Sequence, residues 1–176
     1  MASESPKVAF GDRARGRRPR HNGAMDSEAR RAAVVPLIAL ASCRDFRDRA
    51  DAGVALASFA ELPEAREVLA ELVLDAEDTF VTRATAEALF RRRDGIGLAI
   101  VASALADADP NHADWISTAA EDVLGVLAED RDTAALTCES FLEVPDGRVR
   151  LGARRLIATI AGITPVLSAS EQHSAG

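Results

Sequence analysis

Tyrosine is absent from this 176-residue chain, tryptophan occurs once (Trp115), lysine once (Lys7) and cysteine twice, as Cys43 and Cys138. With aromatics at 4%, the rings are too few for a nucleic-acid surface built on base stacking. Two distant cysteines without metal-like spacing exclude a disulfide framework. They read as small hydrophobes within helical stretches, in a reducing, cytoplasmic setting. No run of 18 apolar residues and no hydrophobic signal region is found, so no membrane span is expected. Gly95-Ile96-Gly97 is too short a match for a phosphate-binding loop.

Hydrophobic residues make up 48% of the chain. Ala, Leu and Val dominate, which lets helices approach closely and favours helix on helix over a sheet. Charge divides the sequence. Residues 1 to 24 hold six basic and two acidic residues, a net of +4, whereas 25 to 176 hold 15 basic and 26 acidic residues, a net of −11. The first segment, rich in Arg, Pro and Gly and without helical period, reads as a disordered basic tail. Translation from Met25 fits equally, because Asp26-Ser27-Glu28 would supply an acidic helix start.

One pattern recurs. A helix-entry motif begins at Arg49, Arg83, Ser117 and Arg150, at steps of 34, 34 and 33 residues. In the first two copies Phe46 and Phe80 share a register, as do Arg49 and Arg83, Ala50 and Ala84, and Ala52 and Ala86. The later copies keep an alanine (Ala120, Ala153) and an aliphatic residue (Val123, Leu156). Such self-similarity marks stacked units that cannot bury an apolar face alone. Ala86 is expected at a close helix contact.

Period and punctuation predict helices at about 34 to 42, with Pro36 in the first turn and room for a preceding turn from Asp26, and at about 46 to 59, with Val54, Leu56 and Phe59 among its apolar positions. The next opens at Leu62-Pro63-Glu64 and buries Val68, Leu69, Leu72 and Val73. Asp78 should cap a helix of about 79 to 92 that ends in Arg91-Arg92-Arg93, with the turn at Asp94-Gly95. The helix of about 96 to 106 lacks charge, so it is either central or part of an interface. A loop from Asp107 to Asp114, helices of about 115 to 127, 132 to 142 and 147 to 161, and a disordered tail over 166 to 176 complete the reading.

These stretches resemble a known pattern. Leu72-Val73-Leu74-Asp75-Ala76-Glu77-Asp78 with Val81, Arg83, Ala84 and Leu89, then Phe141-Leu142 with Asp146, Val149, Arg150, Ala153 and Leu156, look like HEAT repeats, as does Val35-Pro36-Leu37-Ile38 running into Asp45, Arg47 and Ala52. The resemblance covers about residues 34 to 161. It implies an all-α fold: a short right-handed α-solenoid of about three to four two-helix repeats spanning 25 to 165, with B helices lining a concave side that binds protein. The third repeat departs, with Trp115-Ile116-Ser117 where a Val-Arg pair would stand, which interrupts any ladder of Asp to Arg contacts.

Sharper chemistry finds little support. Asp107, Asp109 and Asn111 alternate like a calcium loop, but the sixth position is His112 rather than Gly and the twelfth is Thr118 rather than Glu. His112 with Asp109 and Asp114 is the nearest approach to a metal or base set, and one histidine among exposed acids in a connecting loop reads as solvated. Neither cysteine has a histidine to pair with, since His21 and His173 lie in the tails. We therefore expect no catalytic residue, cofactor or metal.

The candidate partner-binding residues are Glu64, Glu67 and Glu71, an acidic row on one helix, and Trp115, which would pack over a repeat junction or serve as an anchor. A row of acids favours a partner with a basic or mixed basic and apolar surface and repels DNA phosphates. The expected function is a non-catalytic interaction module or scaffold, including an inhibitor or immunity-type binder. The alternatives are a subunit of HEAT-like lyase type and a self-associating unit that pairs through 95 to 106.

Overall fold

The computed structural model describes residues 22–167, and these are helical throughout apart from turns and one isolated backbone bridge. The elements are α1 (Asn22–Ala41), α2 (Phe46–Ala57), α3 (Pro63–Leu72), α4 (Thr79–Arg91), α5 (Gly95–Asp107), α6 (Pro110–Leu124), α7 (Ala128–Ser140), a 3-10 turn at Phe141–Glu143, and α8 (Gly147–Gly162). The all-α class follows.

Aspartate starts most of these helices. Asp45, Asp78, Asp94, Asp109 and Asp146 each accept an N–H of the first turn of α2, α4, α5, α6 and α8 through the side chain. Each such cap is worth about 1 kcal/mol and fixes where a helix begins. α3 uses Pro63 at its first position instead, where a missing N–H costs nothing.

Packing alternates. α2 lies on α4 and α4 on α6, while α1 lies on α3, α3 on α5 and α5 on α7. α8 touches α6 but packs far more extensively on α5 and also meets α7. Gly152 makes that crossing possible, because a methyl group there would overlap the Ala102 carbonyl of α5. Contacts from α3, α4, α6, α7 and α8 therefore surround α5, which is why this helix carries no charge from Gly95 to Ala106. It is central to the packing, with Ile96, Ala99 and Ser103 left partly exposed along one side.

Several local expectations are corrected. α1 begins at Asn22, inside the segment 1 to 24 read as a tail, and Pro36 sits in its interior. Pro36 and Ala32, whose carbonyl loses its N–H partner, are both exposed, so water can satisfy the freed group. α6 starts at Pro110, within the expected loop: Asp109 caps it and the proline occupies its first position. α7 likewise starts earlier, at Ala128.

The turn expected at Asp94-Gly95 falls earlier: Arg93 takes the left-handed conformation (φ 54°), and Gly95 already opens α5. Val54 points outward. Cys43 lies in the turn after α1 rather than within a helix. Val166 and Leu167, assigned to the C-terminal tail, are tied by backbone bonds to the α6–α7 linker: Val166 N–H to Gly125 O (2.9 Å) and Leu167 N–H to Val126 O (3.0 Å). The remainder of the expected tails, 1–21 and 168–176, lies outside the described residues.

Candidate functional site

The exposed face of α3 separates two clefts. The larger, about 680 Å³, runs between α3, the α1–α2 turn and the α3–α4 turn, with Glu71, Glu77, Arg44 and Arg148 at its edge. The second, about 440 Å³, lies between α3 and α5 under the start of α8; Ile96, Ala99, Ile100 and Val149 make its apolar part, and Glu67 and Asp146 its acidic rim. Ala70 lines both, so Glu67 and Glu71 stand on a low ridge one turn long between them.

The acidic row is not uniform. Glu64 faces Arg31 of α1 at 3.8 Å and is half-buried. Glu67 and Glu71 are exposed and make no ion pair among the described residues. Arg66 also lines the second cleft, and its Nε donates to the Ala60 carbonyl at 3.4 Å. The local surface is thus mixed, with two unneutralised carboxylates at its centre. Trp115 stands apart on α6, half-buried, and lines neither cleft, so the structure does not unite it with the glutamates.

The turn that walls the larger cleft is tightly held. Arg49 of α2 donates from Nε and Nη2 to the two Asp75 oxygens at 2.7 and 3.0 Å, and from Nη1 to the Cys43 and Arg44 carbonyls. Asp75 also accepts the Glu77 and Asp78 N–H groups. Burial pushes the Asp75 carboxyl up, but Arg49 and those two amides outweigh it and hold the group below the usual carboxylate range. The hydrogen bond to Asp75 holds Arg49 above its usual value despite burial.

His112, expected to be solvated in a loop, is instead the third residue of α6 and mostly buried. Its Nε2 lies 3.0 Å from the Asp75 carbonyl and its Nδ1 3.0 Å from the Asp109 carboxylate. Neither these two contacts of His112 nor the close packing of α8 on α5 was foreseen. The signal for the first was Asp109-Pro110, a cap followed by a first-position proline; for the second it was Gly152 in an otherwise regular helix.

The apparent calcium pattern has other employment: Asp107 pairs with Arg148, and Asp109 caps α6. Cys138 is buried, which pushes its thiol up to about 12. Such a thiol supplies no nucleophile near neutrality. Cys43 borders the larger cleft, with its Sγ 3.8 Å from the Ala39 carbonyl. No helix among the described residues is long and apolar enough to cross a membrane.

No protein-family model matches the chain, and no curated protein is significantly similar to it. The crystal structure of an engineered protein aligns over 81% of this chain and 68% of that one, at 18% identity and a TM-score of 0.36, a likeness too loose to carry an argument.

Proposed function

We propose that this chain is a short HEAT-like α-solenoid of about three to four repeats that acts as a non-catalytic protein-binding module through the groove along α3. The alternation of packing, α2 to α4 to α6 beside α1 to α3 to α5 to α7, supports the repeat reading. So does a shared contact: Arg49 binds the carbonyls of Cys43 and Arg44, and Arg150 those of Val144 and Pro145, six and five residues upstream in both cases.

The observation that carries the binding reading is the ridge itself. Two carboxylates without ion pairs among the described residues stand between clefts with apolar floors, which is where a basic residue flanked by apolar ones gains both charge and burial. The partner is accordingly a protein segment with a basic or mixed basic and apolar surface. Affinity capture from native lysate with the wild type and with Glu67→Arg/Glu71→Arg tests this. A partner retained equally by both forms would overturn it.

A self-associating unit is favoured by a different observation. Val126, Leu127, Val166 and Leu167 are all exposed where the C-terminal segment pairs with the α6–α7 linker. Light scattering after size exclusion, comparing the wild type with Val166→Ser/Leu167→Ser, decides that reading.

A further inference from the structure

We propose that His112 is a proton-operated clasp that ties the α3–α4 turn to the start of α6. A neutral imidazole has one N–H and one lone pair, whereas both ring nitrogens here face acceptors, the Asp75 carbonyl at 3.0 Å and the Asp109 carboxylate at 3.0 Å. Only the protonated ring donates to both. Deprotonation leaves one nitrogen lone pair against an oxygen, so one of the two contacts must lengthen.

The surrounding charges keep this switch clean. On its own element His112 faces Asp109. From the α3–α4 turn it faces Asp75, whose carboxylate is turned to Arg49 of α2, with Glu77 on the far side of that guanidinium. From α5 and α8, Asp107 and Arg148 neutralise each other. The Asp75 and Asp109 carboxyls lie below their usual range and Arg49 above its own, so none of these changes charge between pH 5 and 8. The hydrogen bond to the Asp75 carbonyl, opposed by burial and reinforced by Asp109, raises the His112 pKa. His112 is also the one histidine among the described residues, since His21 and His173 lie outside them.

The clasp closes as pH falls and loosens as pH rises through the raised pKa. It anchors the turn carrying Asp75 and Glu77, one wall of the larger cleft. Its bearing on partner binding rests on the groove reading above; the clasp itself does not.

The test uses the full chain without a partner. Proton NMR follows the His112 ring, assigned by difference from His112→Gln, and amide exchange gives protection factors for Glu77 and Asp78 at pH 6 and 8. We expect His112 to titrate above the ordinary value near 6.5, and protection of both amides to fall about three- to tenfold from pH 6 to 8. His112→Gln, which donates without titrating, should abolish that dependence. If His112 titrates at or below the ordinary value, or if protection does not follow its titration curve in the wild type, the proposal is overturned. An equal pH dependence in His112→Gln would overturn it as well. Failure of the Glu67→Arg/Glu71→Arg test leaves the clasp standing, and failure of the clasp leaves the groove.

Discussion

Arg49 and Asp75, 26 residues apart, form a two-pronged ion pair with side chains only 7% and 8% exposed. This fork joins the first turn of α2 to the turn after α3, and Asp75 in turn organises the entry to α4. One buried contact therefore sets the relation of three helices.

Removing one partner of such a pair leaves the other charge buried and alone. Arg49→Met or Asp75→Leu should each lower unfolding free energy in urea by about 3 to 5 kcal/mol, while the double variant recovers much of the loss. Acid reads the same contact. Because the folded Asp75 pKa is depressed, its contribution is complete above the unfolded carboxylate value and is lost as pH falls through the folded one. Urea titrations at pH 5 and pH 3 should show a smaller acid loss in Asp75→Asn than in the wild type. An equal loss would assign the acid sensitivity elsewhere.

Gly152 should tolerate no side chain. A methyl group at that position overlaps the Ala102 carbonyl, which is backbone and cannot rotate away. We expect Gly152→Ala to cost more than about 3 kcal/mol by forcing α8 off α5, whereas Gly162→Ala, where none of the described residues lies within 4 Å, changes the thermal midpoint little. A folded Gly152→Ala with an unchanged midpoint would contradict the described α5–α8 packing.

Much of the helical order was legible because its signals are local. Asp45, Asp78 and Asp146 announce their helices, and the repeat brings Phe46 and Phe80 into an edge contact at 5.7 Å and buries Ala86 completely. The repeat misled where its register and the helix starts disagree. Arg49 and Arg150 are the fourth residues of their helices, and both reach back to the preceding turn. Arg83 is the fifth residue of α4, so the 100° added by one residue turns it toward Asp122 of α6, at 2.6 Å. Charge on the C-terminal turn of α4 misled in a related way: Arg92 serves the Ala57 carbonyl at the end of α2, not its own helix. The α8 crossing and the His112 clasp depend on residues 37 to 50 positions apart, and their local marks, Asp109-Pro110 and Gly152, do not say which distant residue each will meet.

Counted from its cap, Thr82 occupies in α4 the place of Arg49 in α2, fully buried, and its hydroxyl finds no hydrogen-bond partner among the described residues. A buried hydroxyl without a partner costs more than it contributes. Thr82→Val keeps the shape and removes the cost, so stability in urea should rise by about 1 kcal/mol. A loss of that size would mean that the hydroxyl is satisfied in solution.

The two glutamates of the ridge differ from Glu61 in what they already hold. Burial raises the Glu61 carboxyl, but its own backbone N–H and the guanidinium groups of Arg30 and Arg92 outweigh that and lower it, so Glu61 is committed to the fold. Glu67 and Glu71 are exposed and carry no ion pair among the described residues. Their double replacement by arginine should leave the helical circular dichroism spectrum intact and shift unfolding free energy by no more than about 0.5 kcal/mol, while abolishing partner capture. Glu61→Arg should do the reverse, destabilising the α1–α3 junction without touching the ridge. If Glu67→Arg/Glu71→Arg unfolds the chain, these carboxylates belong to the scaffold and the groove loses its charge argument.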